Sequence, residues 1–180
     1  MKGIAAWIWI IGSLILGLTI FIIGSTVFFS QLEVKLKQTA SDNFYDLTGK
    51  IKRTCIEGGL GEVYYYKNFP VPETVKAVYS ANESDQLPPD KVSVYISNNR
   101  SATGKYACIN YFGDELPKCE AVDCLLDITY MGTPSAKPSI FSMVARLVSE
   151  GSVYKIYKYN VFINKTNTSF VTAKATPIIG

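Results

Sequence analysis

The sequence predicts an α+β protein: a long N-terminal helix, apolar then amphipathic, packed on an antiparallel β-sheet head domain. Three observations predict it. An uncharged run, Ile4 to Phe29 (IAAWIWIIGSLILGLTIFIIGSTVFF), leads directly into a stretch with an apolar stripe at helical spacing. From Cys55 onward, short runs of β-branched and aromatic residues alternate with Pro, Gly, Asn and Ser. All four cysteines lie from that point on, an even set that reads as a disulfide framework.

The uncharged run covers about 26 positions, roughly 39 Å as a helix against the ~30 Å hydrocarbon core of a bilayer. It is longer than the apolar region of about 7–15 residues in a cleaved secretory signal. It is therefore expected to stay in the protein as a single membrane span. Trp7 and Trp9 lie near one end, where indoles favour the membrane–water interface. Ala6, Ser13, Gly17 and Gly24 fall on one helical face, and small residues in a row let another helix approach closely. Lys2 precedes the run and Lys35 and Lys37 follow it, so basic residues alone do not orient it. The cysteines and four N-glycosylation sequons, at Asn82, Asn99, Asn164 and Asn167, all follow the run. Disulfides and N-glycans belong outside the cytoplasm. The expected topology is N-terminus in the cytoplasm, C-terminal domain outside.

Beyond Phe29, Leu32, Leu36, Ala40, Phe44, Leu47 and Ile51 form a helical stripe, with Gln31, Glu33, Lys35, Lys37, Asp42 and Asp46 mostly off it. No proline interrupts Ile4 to Thr54, so one continuous helix of about 50 residues is expected, rather than an anchor and a separate juxtamembrane helix broken near Ser30. The resulting organisation is residues 4–29 as a transmembrane helix, 30–54 as its amphipathic extension and 55–180 as the head.

Gly58, Gly59 and Gly61 end the helical pattern. Strands are expected at Val63–Lys67, Val75–Tyr79, Val92–Ile96, Tyr106–Tyr111, Leu125–Tyr130 and Phe170–Ala175. The alternation of Phe141, Met143, Ala145 and Leu147 predicts a hairpin of Ile140–Val148 with Val153–Ile163. Short links between successive strands suggest an antiparallel meander, with an exposed loop at Ser80–Asp90. The stripe on the helix needs a cover, and so does one face of such a sheet; packing one on the other satisfies both. Cys55, Cys108, Cys119 and Cys124 allow three pairings. The short Cys119–Cys124 spacing favours a local bridge, leaving Cys55 with Cys108. A metal site is the rival reading, weakened by the absence of a C-x-x-C pair and of histidine.

Composition narrows the function. Hydrophobic residues make up 48% and charged residues 18%, which excludes intrinsic disorder. A net charge of +3 does not suggest a nucleic-acid partner. The chain has no histidine, which removes Ser-His-Asp and Cys-His nucleophiles and His-containing zinc sites. Acid–base work could use paired carboxylates such as Asp114/Glu115 or Glu120/Asp123, but these read as solvated loop charges. The tyrosines, among them Tyr64, Tyr65 and Tyr66, are ordinary sheet residues. No catalytic residues, cofactor, metal or small-molecule substrate are expected.

The layout resembles a type IV pilin. Met1-Lys2-Gly3 before the apolar run is similar to a class III signal, which a prepilin peptidase cuts after a basic-Gly or basic-Ala pair; carried over, the cut would fall between Gly3 and Ile4, which makes residues 1–3 a short leader and 4–29 a filament-core helix. The body resembles archaeal pilin-like proteins in four features: Cys55-Ile-Glu-Gly-Gly at the helix end, Pro72-Glu-Thr-Val, Tyr106-Ala-Cys-Ile, and a closing hairpin. Ile8 stands at the fifth position after that cut, where many bacterial pilins carry Glu. The resemblance implies a structural surface protein, anchored by its N-terminal helix and assembled with identical or related subunits through helix–helix packing. The alternative is an uncleaved single-pass anchored ectodomain, acting as an adhesin, an envelope component or an accessory subunit of a membrane complex.

Overall fold

The computed structural model describes residues 2–82, 103–114, 116–129, 131–132, 140–150 and 154–178. Helix α1 runs from Lys2 to Glu57 without interruption, as the absence of proline predicts. Six strands follow: β1 (Val63–Pro72), β2 (Val75–Ala81), β3 (Gly104–Tyr111), β4 (Lys118–Ile128), β5 (Ile156–Asn167) and β6 (Phe170–Pro177). A second helix, α2 (Ile140–Glu150), precedes β5. Residues up to Lys35 form one compact unit and those from Leu36 a second.

In the second unit, α1 packs on one six-stranded sheet of order β1-β5-β6-β4-β3-β2. The expected stripe is the contact: Ala40, Phe44, Leu47 and Ile51 are buried, and Leu36 is half-buried at its margin. They meet Phe69 and Val71 of β1, Ile109 of β3, Leu126 and Ile128 of β4, Val161 and Ile163 of β5, and Val171 and Ala173 of β6. In β1 an extra residue makes this possible. Tyr64 and Tyr66 face the helix, then the register slips at Lys67-Asn68, so that Phe69 and Val71 face it instead. Asn68 sits at φ 60°, the left-handed conformation that asparagine tolerates, and its N–H donates to Asn160 Oδ1 at 3.4 Å.

The sheet is curled. β1 and β2 are its two edges, yet only Glu73 and Thr74 join them. Three Cα steps reach about 11 Å, whereas the edges of a flat six-stranded sheet stand roughly 24 Å apart. The sheet must therefore curl strongly enough to bring the end of β1 to the start of β2, two strands that the pairings set running in the same direction. Glu73 holds that junction. Its side chain is 1% exposed; Oε2 accepts from Arg146 of α2 at 2.6 Å and from the Lys155 N–H at 3.1 Å, and its own N–H donates to the Lys155 carbonyl. Midway along β2, Met131 exchanges two backbone hydrogen bonds with Val78 and covers that edge there.

The structure corrects the sequence reading in four places. Ile140–Glu150 is a helix, so the expected hairpin with Val153–Ile163 does not form, and β5 pairs with β6 and β1 instead. The alternation of Phe141, Met143, Ala145 and Leu147 coexists with Ile140, Met143, Val144 and Leu147 at i, i+3, i+4, i+7, and the helical period prevails. The sheet is mixed, because β4 and β6 run parallel while the other four pairings are antiparallel. Ser80 and Ala81 belong to β2 and are buried rather than exposed; the rest of that loop beyond Asn82, and the Val92–Ile96 strand, lie outside the described residues.

The fourth correction is the disulfide pairing. The bonds are Cys55–Cys124 and Cys108–Cys119. Cys119 and Cys124 sit on one strand, β4, five positions apart. An odd offset points them to opposite faces, and about 17 Å of strand separates them, beyond the ~7 Å Cα limit for a bridge. Cys124 shares the helix face with Val122 and Leu126 and meets Cys55 at the end of α1. Cys119 shares the other face with Cys108, its register partner on β3, beside Ala77, Tyr79 and Tyr106.

Candidate interaction surface

The residues singled out in the sequence lie on two surfaces, each described separately. The first is the uncharged segment of α1. Every large apolar side chain from Trp7 to Ile23 is more than half exposed, with Trp9 at 80%. A helix apolar all round has no core of its own to enter and requires an apolar environment outside the chain. It is long and apolar enough to cross a membrane. Its polar atoms are satisfied internally: the hydroxyls of Ser13, Thr19, Ser25 and Thr26 donate to the carbonyls of Ile10, Ile15, Ile22 and Ile23 at 2.8–2.9 Å. That is what hydrocarbon demands, where an unmet donor costs several kcal/mol. A Cβ built on Gly12, Gly17 or Gly24 meets nothing within 4 Å, so the gap each leaves opens outward. Ser13, Gly17 and Gly24 thus lie on an open surface, while the side chain of Ala6 lies outside the described residues. Lys2, Gly3 and Ile4 form the first turn of α1.

The second surface is the head, where charged groups fasten α1 to the sheet. Lys37 pairs with Asp114 at 2.7 Å, and Lys52 with Glu120 at 2.9 Å. The Tyr111 hydroxyl donates to the Lys37 carbonyl at 3.3 Å, and burial pushes that phenol up to about 12. Burial likewise pushes Tyr79 up to about 12. Lys50 stands 3.9 Å from the centre of the Tyr66 ring. Buried Lys165 donates to the Cys55 carbonyl at 2.7 Å in the last turn of α1. The chain then turns at Gly58, where a Cβ would lie 2.6 Å from the Thr54 carbonyl oxygen.

The carboxylate pairs do not converge. Asp114 and Glu120 are occupied by lysines of α1, and Asp123 is exposed on the opposite face of β4 from Glu120; Glu115 lies outside the described residues. Among the described residues, no three His, Cys, Asp or Glu side chains form a group able to hold a metal. An open groove of about 550 Å³ is lined by Asn68 and Ile178 and by the run Tyr154 to Lys158. Of the sequons, Asn82 is exposed just past β2, Asn164 is half-buried within β5 and Asn167 is exposed at the β5–β6 turn; Asn99 lies outside the described residues. Sequence reasoning missed Glu73, Arg146 and Lys165. Glu73 stood in the quoted Pro-Glu-Thr-Val, but nothing in the local pattern announces that a glutamate closes a curled sheet. Comparison of the chain with protein-family models, curated proteins and solved structures finds no match.

Proposed function

We propose that this protein is a pilin-like structural subunit of the cell surface. Residues 4–29 hold it in the membrane with the head outside, and the same helix packs against identical or related subunits when they assemble. The observation that carries this reading is the division of labour within α1. One segment is apolar on every side and meets its own polar needs, while the following segment is committed to the head by a buried stripe, a disulfide and two ion pairs. A single-span anchor alone requires only the first feature. An apolar helical segment that continues into a folded head also suits side-by-side packing with non-closing helical symmetry, which yields an open filament. Ser13, Gly17 and Gly24, on one face and open to approach, suit that packing.

The test is the intact mass and N-terminal sequence of the protein from its own cells, with electron microscopy of the cell surface. A mature chain beginning at Ile4, together with filaments that contain it, supports the proposal. A chain retaining Met1-Lys2-Gly3 in protein that remains in the membrane overturns it and leaves the anchored ectodomain.

A further inference from the structure

The outer face of the sheet, turned away from α1, carries exposed apolar groups with no cover among the described residues. Tyr65 and Phe162 are cross-strand partners with rings 4.7 Å apart, 50% and 40% exposed. Leu125, 39% exposed, pairs in register with Phe170. Register also brings Asn167 into this row. β5 slips by one residue at Thr166, between the Lys165↔Val171 and Asn167↔Phe170 pairs. Val171 and Lys165 face the helix, so the slip turns Asn167 to the outer face, with Phe170 and then Leu125 beside it.

We propose that Asn167 is N-glycosylated and that the first sugars of the glycan cover Phe170 and Leu125. The inference rests on the part of the functional reading that places the head outside the cytoplasm. Asn167-Thr168-Ser169 is a sequon at an exposed two-residue turn. The carboxamide is held by its oxygen: Oδ1 accepts from the Ser169 N–H at 3.0 Å and from the Thr168 and Ser169 hydroxyls at 3.3 Å. Nδ2, the atom that takes the sugar, is on the other arm of the amide. Asn164 differs in each respect. It lies within β5 between Val63 of β1 and Thr172 of β6, half-buried, with its Oδ1 out of reach of solvent and without a partner among the described residues. The apolar face of a sugar ring suits Phe170 and Leu125, because stacking there removes apolar surface from water on both sides.

The donor is a polyprenyl-linked saccharide. The bond from Nδ2 to the sugar C1 forms, the bond from C1 to the phosphate oxygen breaks, Nδ2 gives up one proton and the polyprenyl phosphate leaves. Nothing is oxidised or reduced.

Trypsin separates the two neighbouring sequons, because Lys165 lies between them. In protein purified from its own cells, the peptide 166–174 is expected to carry saccharide mass and the peptide 159–165 none. Ser169→Ala abolishes the modification and Ser169→Thr restores it. Hydroxyl-radical footprinting of Leu125 and Phe170 rises in Ser169→Ala relative to the wild type. An unmodified 166–174 peptide, or sugar on 159–165 in its place, overturns the site. Unchanged footprinting overturns the cover. The N-terminal mass of the same sample reads the pilin proposal separately, so either can fail alone.

Discussion

Two stretches of the same helix, 7–23 and 40–55, are both rich in apolar residues and have opposite fates. In the first, every large apolar side chain is more than half exposed; in the second, Ala40, Phe44, Leu47, Ile51 and Cys55 are buried to within a tenth. The difference is angular. Apolar residues all round a helix leave no face for a sheet with polar margins, whereas a single stripe leaves Lys37 and Lys52 free to pair with Asp114 and Glu120 at its edges. The second stretch finds its partner within the chain. The first must find most of it elsewhere, because burial of apolar area contributes about 25 cal/mol per Å² and its large apolar side chains stay more than half exposed among the described residues.

The sharpest way to break this comparison is to truncate one aromatic in each stretch. Phe44→Ala is expected to cost the head about 3–5 kcal/mol, the range for emptying a buried phenylalanine site. Phe21→Ala, at a side chain 71% exposed, is expected to leave head unfolding unchanged. Denaturant unfolding of the full chain in micelles, followed by a probe in the head, reads both. Equal losses would mean that the two stretches are energetically one element.

A smaller effect separates the two disulfides. Cys55–Cys124 spans 69 residues and Cys108–Cys119 spans 11. In the chain-entropy model these contribute about 4 and about 3 kcal/mol. Replacing the first pair with alanines should also loosen the end of α1, seen as faster amide exchange from Lys50 to Glu57, while replacing the second should leave that turn protected. If exchange rises equally in both, the first bond is not what fastens α1 to β4.

What the sequence made legible follows from how local each signal is. The uncharged run, the stripe from Ala40 to Ile51 and the strands at Tyr106–Tyr111 and Phe170–Ala175 are each decided by neighbours within a few residues, and each is found. Where tertiary structure chose between two readings, the local signal failed. The segment Ile140–Glu150 satisfies both a period of two and a period of 3.6. The four cysteines allow three pairings until β4 is recognised as beginning at Lys118 rather than near Leu125. Glu73 and Lys165 were invisible because their partners, Arg146 and the Cys55 carbonyl, lie 73 and 110 residues away.

High pH offers a gentler probe of the same head. Burial raises the phenols of Tyr79 and Tyr111 from 10 to about 12 in the folded state. A raised pKa means that the folded protein keeps protons the unfolded chain gives up. The contribution is therefore fully present below pH 10 and is lost as pH climbs from 10 to 12, roughly 2–3 kcal/mol per tyrosine. Tyr79→Phe should remove part of that decline and cost little at neutral pH, since the Tyr79 hydroxyl is buried without a hydrogen-bond partner among the described residues. A stability curve for Tyr79→Phe that falls as steeply as the wild type above pH 10 would remove Tyr79 as a source.

The smallest effect concerns how the buried stretch of α1 ends. A helix leaves its last carbonyls without intrahelical donors and carries a partial negative charge there. Lys165 answers both, reaching from β5 to the Cys55 carbonyl, and no ion pair with a carboxylate occupies it among the described residues. Lys165→Met keeps the aliphatic stem and removes the donor. The carbonyl then loses a charge-assisted bond, while the fold is relieved of a buried ammonium. We expect the first term to prevail and stability to fall by about 1–2 kcal/mol. The loss should come with faster amide exchange confined to the last turn of α1 and to Gly58. A methionine variant as stable as the wild type would show that desolvation of the ammonium cancels its bond. The Cys55–Cys124 bridge and the buried stripe alone would then hold the end of α1, and the contrast between its two stretches would rest on apolar packing and that bridge.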